Sequence, residues 1–195
     1  MAEYHTGRNK LIAWIALGIR PRYREDWVLE NLQTFVAVPV AVLSYRRFRF
    51  SNQAYIQATI FLVLHTIGSH YTYSEVPLGA WVQSVFGLAR NHYDRVVHFC
   101  FGLLMLRPVR ELAIRRPETL GGVARFYLSF AAVAFWSVFY EITESIVAAI
   151  ADPAAGIAYL GTQGDVWDAQ KDMGIACLGG LLAAAFDAWQ LRMQR

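Results

Sequence analysis

The chain has 195 residues, of which 56% are hydrophobic and 17% are charged, and its formal net charge is +3. The length predicts one domain, residues 1–195, and the composition is too apolar for an ordinary soluble protein. The basic residues fall in short runs between apolar segments, so the positive charge indicates membrane topology and not a nucleic-acid partner. Cys100 and Cys177 lie in apolar runs without metal-binding spacing, so neither a disulfide framework nor a zinc site is predicted.

The apolar segments predict an all-α, polytopic transmembrane bundle of five or six spans. The first segment, residues 11–19, is only about 14 Å long as a helix, so it either lies at the interface or crosses a thinned bilayer. The second segment, residues 27–45, contains Pro39, which predicts a kink. The other spans are predicted at residues 55–69, 92–106 (closing at Arg107 and Pro108), 122–150 and 174–189, with a short interfacial helix within residues 75–90.

The distribution of lysine and arginine predicts the orientation of the bundle. If residues 11–19 cross, one side receives 12 of the 18 basic residues, including the run at 46–49 and the C-terminus. That side is predicted to be cytoplasmic, and the bias gives the same orientation if the short segment does not cross. The polar ends of the later segments then face the outer side.

The densest polar stretch is residues 161–172, which contains three carboxylates, one amine and two amides between apolar segments. If a helix begins at Asp165, then Asp165, Asp168 and Asp172 lie on one helical face. A plain alternative makes Asp165 the N-cap of the last helix, with Asp168 interacting favourably with the helix dipole.

Two further pairs of polar residues are three or four positions apart, the separation that places both side chains on one face of a helix. Asp94 and His98 are four residues apart, which lets the carboxylate orient the imidazole, lets both ligate a metal, or simply forms an intrahelical hydrogen bond. Glu141 and Glu144 lie in an apolar segment, where each charge costs about 2.5–3.5 kcal/mol on insertion scales, so they need partners. The partners considered are a metal, a shared proton, or a cation among Arg90, Arg95 and Lys171.

The predicted orientation brings these ends to one surface, so acids and histidines from several segments are predicted to converge on one outward-facing cavity. The converging set is His65, His70, Asp94, His98, Glu141, Glu144, Asp165, Asp168 and Asp172. Carboxylates with a few histidines suit Mg²⁺, Mn²⁺, Ca²⁺ or iron. The candidate ligands of a divalent cation are Asp94, His98, Glu141, Asp165 and Asp168; Glu144, Lys171 and Asp172 join them as candidate catalytic residues, and His65, His70, Tyr73, Gln163 and Gln170 as secondary ones.

Four motifs carry a resemblance to a known family. They are YTYSEVPLGAW at 71–81, RNHYDRVVHF at 90–99, YEITE at 140–144 and LGTQGDVWDAQKDM at 160–173. These motifs resemble the YjdF family of uncharacterised bacterial inner-membrane proteins. More loosely, the sequence is similar to the VanZ-like membrane proteins in three features: Asp94 with His98, Glu141 with Glu144, and the spaced aspartates Asp165, Asp168 and Asp172. The resemblance implies a six-helix domain in the bacterial inner membrane and supplies no catalytic mechanism; the chain departs from the family in its shorter first apolar segment.

Three functions remain open from the sequence. One is a metal-dependent enzyme acting on a lipid or cell-envelope intermediate, with one carboxylate as the base. Another is a proton- or cation-coupled transporter with titrating buried acids, and the third is a structural lock between helix ends. The cytoplasmic halves of the segments show no acid in their cores, which favours a one-sided site. The bilayer is the predicted partner, with a lipid or envelope substrate; the oligomeric state is left open.

Overall fold

The computed structural model describes residues 20–113, 120–150, 156 and 159–193. Seven α-helices are defined within these ranges, and none of the described residues lies in a β-strand, which confirms the predicted all-α class. The helices are α1 (Arg24–Glu30), α2 (Leu32–Ser44), α3 (Asn52–Tyr71), α4 (Pro77–Phe86), α5 (Tyr93–Ala113), α6 (Gly122–Ile150) and α7 (Asp168–Met193), with a 3₁₀ turn at Tyr73–Glu75 before α4.

Two helices of the described chain, α6 and α7, are long and apolar enough to cross a membrane. A third span results if α1 and α2, which meet at an angle of 49°, are one broken span. Large apolar side chains on α6, such as Phe135 and Ile146, are exposed, as lipid-facing residues are. The predicted segment at residues 11–19 lies outside the described residues.

The bend between α1 and α2 lies at Asn31, although the sequence predicts a kink at Pro39. Asn31 is fully buried, and its Nδ2 donates to the carbonyl oxygen of Trp27 at 2.8 Å. A short polar side chain that bonds to the preceding turn competes with the helical backbone ladder. Pro39 lies inside α2. The bend therefore separates the short helix α1 from α2. The side chains of Asp26 and Glu30 in α1 are buried.

Helix α5 continues beyond Arg107 and Pro108, where the sequence predicts that it closes. Its last turns are anchored by charged contacts: Arg107 and Arg110 pair with Asp187 of α7 at 3.2 and 2.5 Å. Glu111 accepts hydrogen bonds from the backbone N–H and hydroxyl of Ser51 at 2.8 and 2.6 Å. This end of the bundle thus also carries acids, Glu111 and Asp187, near the C-terminal ends of α5 and α7.

The contact between α5 and α7 is the closest in the bundle's core. The two helices run parallel, and a β-carbon added at Gly102 would overlap the carbonyl oxygen of Ala176. A β-carbon added at Gly179 would overlap the carbonyl oxygen of Phe99. Small residues let helix backbones approach this closely in membranes, where hydrophobic burial drives association weakly. This contact fixes the first turn of α7 beside the first turns of α5.

Candidate functional site

The turn at residues 161–164 ties the start of α7 to the start of α5. The side chain of Gln163 accepts from the backbone N–H of Asn91 at 2.9 Å and donates to its carbonyl at 3.0 Å. Asn91 is fully buried, donates from Nδ2 to the carbonyl of Val76 at 3.0 Å, and accepts from the backbone N–H of Tyr93 at 3.0 Å. These bonds hold the residue before Asn91, Arg90, over the first turn of α7.

Helix α7 begins at Asp168, six residues before the predicted span at 174–189 and three residues after the start at Asp165 that would place all three aspartates on one helical face. Asp165 precedes it in a turn, where its Oδ1 accepts from the backbone N–H of Trp167 at 3.1 Å. Asp168 and Asp172 share a helical face because they are four residues apart. Asp165 reaches the same region through the turn and not along the helix.

Asp165 and Asp168 are held by three cations, a set that we call the ion network. Arg90 pairs with Asp168, and the Nη2 of Arg95 lies 2.6 Å from Asp168 Oδ1 and 2.9 Å from Asp165 Oδ2. Lys171 donates to both carboxylate oxygens of Asp165 at 2.9 and 2.6 Å. The hydrogen bonds from Lys171 hold the pKa of Asp165 below its ordinary value. The negative charges of Asp165 and Asp168 are therefore compensated by basic side chains of the protein itself.

Asp94, His98 and Asp172 form a second group, which we call the triad. Each of the three offers one ligand atom, and these atoms lie within 4.8 Å of one another. The Nε2 of His98 lies 3.4 Å from Asp94 Oδ1 and 3.5 Å from Oε1 of Glu141, which α6 places beside the triad. This spacing is compatible with ligands that surround one cation.

Two oxygens at the triad are buried and unsatisfied. Within the described part of the chain, Oδ1 of Asp172 and Oε1 of Glu141 have no hydrogen-bond partner. The nearest cation to Asp172 is Arg95, whose Nη1 lies 3.6 Å from that oxygen. Burying a carboxylate without full pairing is costly, and each of these oxygens faces a basic side chain only at 3.5 or 3.6 Å, so each can accept a further positively charged ligand.

Two buried acids of α1 lie in the same bundle and were not among the predicted site residues. Glu30 accepts from the hydroxyl of Tyr140, the residue before Glu141, at 2.8 Å. Asp26 accepts from the hydroxyl of Thr72 at 3.2 Å. Glu30 lies inside the predicted span 27–45, so the rule that flagged Glu141, that an acid inside a span marks a function, should have flagged it too.

The residues predicted as secondary members of the site lie in separate parts of the structure. The buried ring of His65 contacts the hydroxyls of Thr34 at 3.1 Å and Tyr73 at 2.6 Å. His70 is half-buried, and its ring packs against that of Tyr71 with centroids 4.6 Å apart. Glu144 is half-buried one turn beyond Glu141, and Gln170 is exposed on the first turn of α7.

A cavity of about 480 Å³ opens beside the ion network. Burial lowers the pKa of His92 at its rim, and the charges of Arg90 and Arg95 lower it further. The three basic side chains of the ion network outnumber the single acid among the lining residues. Its lining is Arg90, His92, Arg95, Asp165, Lys171, Gly174 and Ile175.

Comparison with known proteins assigns the chain to a family. Residues 10–193 match a family model described as "Predicted membrane protein (DUF2238)". The chain is 33% identical over 172 residues to Inner membrane protein YjdF of Escherichia coli (strain K12), an alignment covering 88% of this chain and 82% of that protein. The chain belongs to this family. Family membership confirms the resemblance to YjdF and the membrane class.

Neither of these descriptions mentions VanZ-like proteins, so that looser resemblance stays an expectation. No solved structure matches the chain. The relative's name places that relative in the inner membrane and states no reaction, ligand or partner. Any activity of this YjdF-family chain must therefore be argued from the site itself.

Proposed function

We propose that the chain is a multi-pass protein of the bacterial inner membrane with five or six spans. Helices α3 and α5 have 20 and 21 residues; α3 packs against α5, and α5 packs against α7. Their length, about 30 Å each, matches the hydrocarbon core, so we count them as spans beside α6, α7 and the bent pair α1–α2. Residues 11–19 would supply the sixth.

The charge distribution supports an orientation with the triad on the outer side. Arg107, Arg110 and the basic run at 46–49 belong to the end of the bundle opposite the triad, because Ser51 binds Glu111 there. Arginine-rich ends face the cytoplasm. The C-terminus, which follows α7 at that end, is then cytoplasmic, and residues 161–172 are periplasmic. Helix α4 exposes Leu78, Trp81 and Phe86, as an interfacial helix would.

We propose that the triad binds a divalent cation and that the protein is a metal-dependent enzyme acting on a lipid or cell-envelope intermediate. The unsatisfied oxygen of Asp172 beside two further ligand atoms carries this proposal. Two carboxylates and one imidazole suit Mg²⁺, Mn²⁺ or iron, and three protein ligands leave open positions for water and substrate. Asp165 and Asp168, predicted as ligands, are assigned instead to positioning α7 through the ion network.

Such a cation would act as a Lewis acid and lower the pKa of bound water. Glu141 is the group best placed as general base, because its unsatisfied oxygen lies 3.5 Å from His98. Arg95 touches both the ion network and Asp172, so it can stabilise negative charge that develops at the triad.

Proton- or cation-coupled transport is the second candidate, and one observation favours it. Buried polar groups continue away from the triad through Glu30 with Tyr140 and through His65 with Tyr73. Chains of titratable groups inside a membrane bundle are typical of proton relays. In a transporter, Glu30→Gln would abolish uptake coupled to a proton gradient, whereas in the enzyme the residue stabilises α1 and takes no part in turnover.

Elemental analysis of the purified full-length protein tests the proposal. The parent should hold one equivalent of a divalent metal after dialysis against excess Mn²⁺ or Mg²⁺. Asp172→Asn should lose it, with an affinity loss of at least about 100-fold, because even residues that only support a ligand contribute 10–100-fold.

Asp165→Asn is the matched control, since it removes a neighbouring carboxylate that belongs to the ion network. It should retain the metal. Equal metal loss in both variants, with thermal stability unchanged, would contradict the assignment of the triad. Absence of metal from the parent under excess Mn²⁺ and Mg²⁺ would exclude the metalloenzyme and favour the transporter.

A further inference from the structure

The cavity beside the ion network has the chemistry of an anion site. Three of its lining side chains, Arg90, Arg95 and Lys171, are basic and one, Asp165, is acidic. Asp168, which pairs with both arginines, and Asp172, 3.6 Å from Arg95, bring the acids beside these cations to three, equal to the number of cations. Neither Asp168 nor Asp172 lines the cavity, so basic side chains outnumber acidic ones in its wall.

One guanidinium nitrogen here lacks an acceptor and a second faces one beyond hydrogen-bond distance. Within the described residues, the Nε of Arg90 is buried without a hydrogen-bond partner, and the Nη1 of Arg95 lies 3.6 Å from Oδ1 of Asp172. The side chain of Arg90 is only 8% exposed. Buried donors of this kind are normally satisfied, and arginine matches the oxygen geometry of phosphate better than any other side chain. Lys171 adds a flexible amine at the rim, half-exposed at 52%.

The cavity lies between the triad and an exposed apolar strip of α7. Arg95 lies 3.6 Å from Asp172, so an anion held by the arginines would lie next to the proposed metal. On the other side Ile175 lines the cavity, and Leu178 and Leu182 continue from it along α7 at three- and four-residue steps, both exposed. A charged pocket at the head of an apolar strip fits an amphiphile whose chain lies along α7.

We propose that this cavity binds the phosphate or diphosphate group of a membrane amphiphile, with Arg90, Arg95 and Lys171 as its ligands and the acyl or prenyl chain against Ile175, Leu178 and Leu182. This inference rests on the proposed function for its biological meaning, since it names the substrate class of that enzyme. Binding of the head group itself requires only the basic side chains and not the metal.

The test is a binding titration on the full-length protein in neutral detergent, followed by native mass spectrometry with a metal chelator present. The probes are dioleoyl phosphatidic acid, dioleoylglycerol with the same chains and no phosphate, and inorganic phosphate. Phosphatidic acid should bind with one equivalent and about tenfold or more tightly than dioleoylglycerol, in line with charge-assisted hydrogen bonds.

Lys171→Gln should weaken phosphatidic acid binding about tenfold without unfolding the bundle, because Lys171 is the exposed member of the set. Arg49→Gln removes one exposed charge at the opposite end of the bundle and should leave binding unchanged. Equal binding of phosphatidic acid and dioleoylglycerol, or equal effects of the two variants, would overturn the inference. If inorganic phosphate binds as tightly as phosphatidic acid, the proposal of a membrane amphiphile is wrong and the cavity is a site for a soluble phosphate.

The chelator separates this inference from the proposed function. Selective phosphatidic acid binding by a protein that never takes up metal supports the phosphate site and contradicts the metalloenzyme. A protein that binds one metal ion but treats the two lipids alike supports the metal site and contradicts the phosphate site.

Discussion

Carboxylates of two kinds lie within one turn of each other at the start of α7. Asp168 is buried against two arginines, whereas Asp172 is 2% exposed and keeps one oxygen unsatisfied. A buried ion pair is worth little over an apolar pair, but a buried charge left alone is strongly destabilising. We therefore assign Asp168 to folding and Asp172 to ligand binding.

The first prediction concerns Arg90. Arg90→Met leaves Asp168 with Arg95 alone and should lower the free energy of unfolding by on the order of 3 kcal/mol, as loss of a buried partner does. Arg90→Met combined with Asp168→Leu removes both charges and should recover most of that loss. Thermal unfolding in detergent measures both effects.

Arg22→Met serves as the control, because Arg22 forms an exposed pair with Glu75 at 2.7 Å. Exposed pairs contribute about 0–1 kcal/mol, so this variant should unfold close to the parent temperature. If the double variant is as unstable as Arg90→Met, the ion network is not a compensated pair and the division between Asp168 and Asp172 fails.

The sequence predicts which acids lie near each other but not which of them pair with basic side chains. Spacing alone places Asp165, Asp168 and Asp172 on one face of a helix. Their different partners depend on Gln163 fastening Asn91, a contact between residues 72 positions apart. No local pattern reports such a contact, so the separation of the ion network from the triad required the structure.

At the scale of the helices, the close contact of α5 with α7 builds the triad. Asp94 and His98 come from α5 and Asp172 from α7, so the triad's dimensions depend on how near the two backbones lie. Gly102 and Gly179 permit that approach. Packing one to two helical turns away from the triad thus fixes the geometry of the triad.

Gly102→Ala should separate α5 from α7, because the added methyl group overlaps the carbonyl of Ala176. Overpacking of this kind typically costs about 1–3 kcal/mol, and metal affinity should fall with stability. Gly174→Ala is the control: it lies inside α7 with nothing within 4 Å of an added β-carbon. Thermal unfolding of the control should equal or slightly exceed the parent, since alanine favours helix. Parental stability of Gly102→Ala would contradict the close contact.

The helix boundaries in the structure match the predicted ones where the length of an apolar run alone determines them. Helix α6 spans the predicted residues, Gly122 to Ile150, because it is an uninterrupted apolar run. The predictions differed where side chains form local hydrogen bonds: the chain bends at Asn31, between α1 and α2, and Asp165 precedes α7 in a turn. Local hydrogen bonds from asparagine and aspartate reset these boundaries in ways that hydropathy does not register.

At the scale of the whole molecule, polar groups occupy both ends of the bundle, but they differ in kind. Both ends hold a cavity, of about 480 Å³ beside the ion network and about 280 Å³ beside Arg107 and Asp187. The end with Arg107, Arg110 and Asp187 contains closed ion pairs, whereas the triad's end contains the buried acids Glu141 and Asp172 with an unsatisfied oxygen each. This asymmetry favours a site that acts from one side of the membrane. It also agrees with the placement of arginine-rich segments toward the cytoplasm.

The orientation predicts which residues react from outside the cell membrane. In a variant lacking Cys100 and Cys177, a cysteine replacing the exposed Val166 should be labelled by an impermeant maleimide once the outer membrane is permeabilised. A cysteine replacing Arg49, also exposed, should react only after lysis. The reverse pattern would invert the orientation and place the triad on the cytoplasmic side.

The central claim, that the triad holds a divalent cation, is tested most directly by pulsed electron paramagnetic resonance on the Mn²⁺-loaded full-length protein. The account predicts one bound Mn²⁺ with a nitrogen coupling from His98. That coupling should vanish in His98→Gln and persist in His65→Gln, whose histidine is buried against Thr34 and Tyr73 instead. Bound Mn²⁺ without nitrogen coupling, or a coupling that survives in His98→Gln, would contradict the claim.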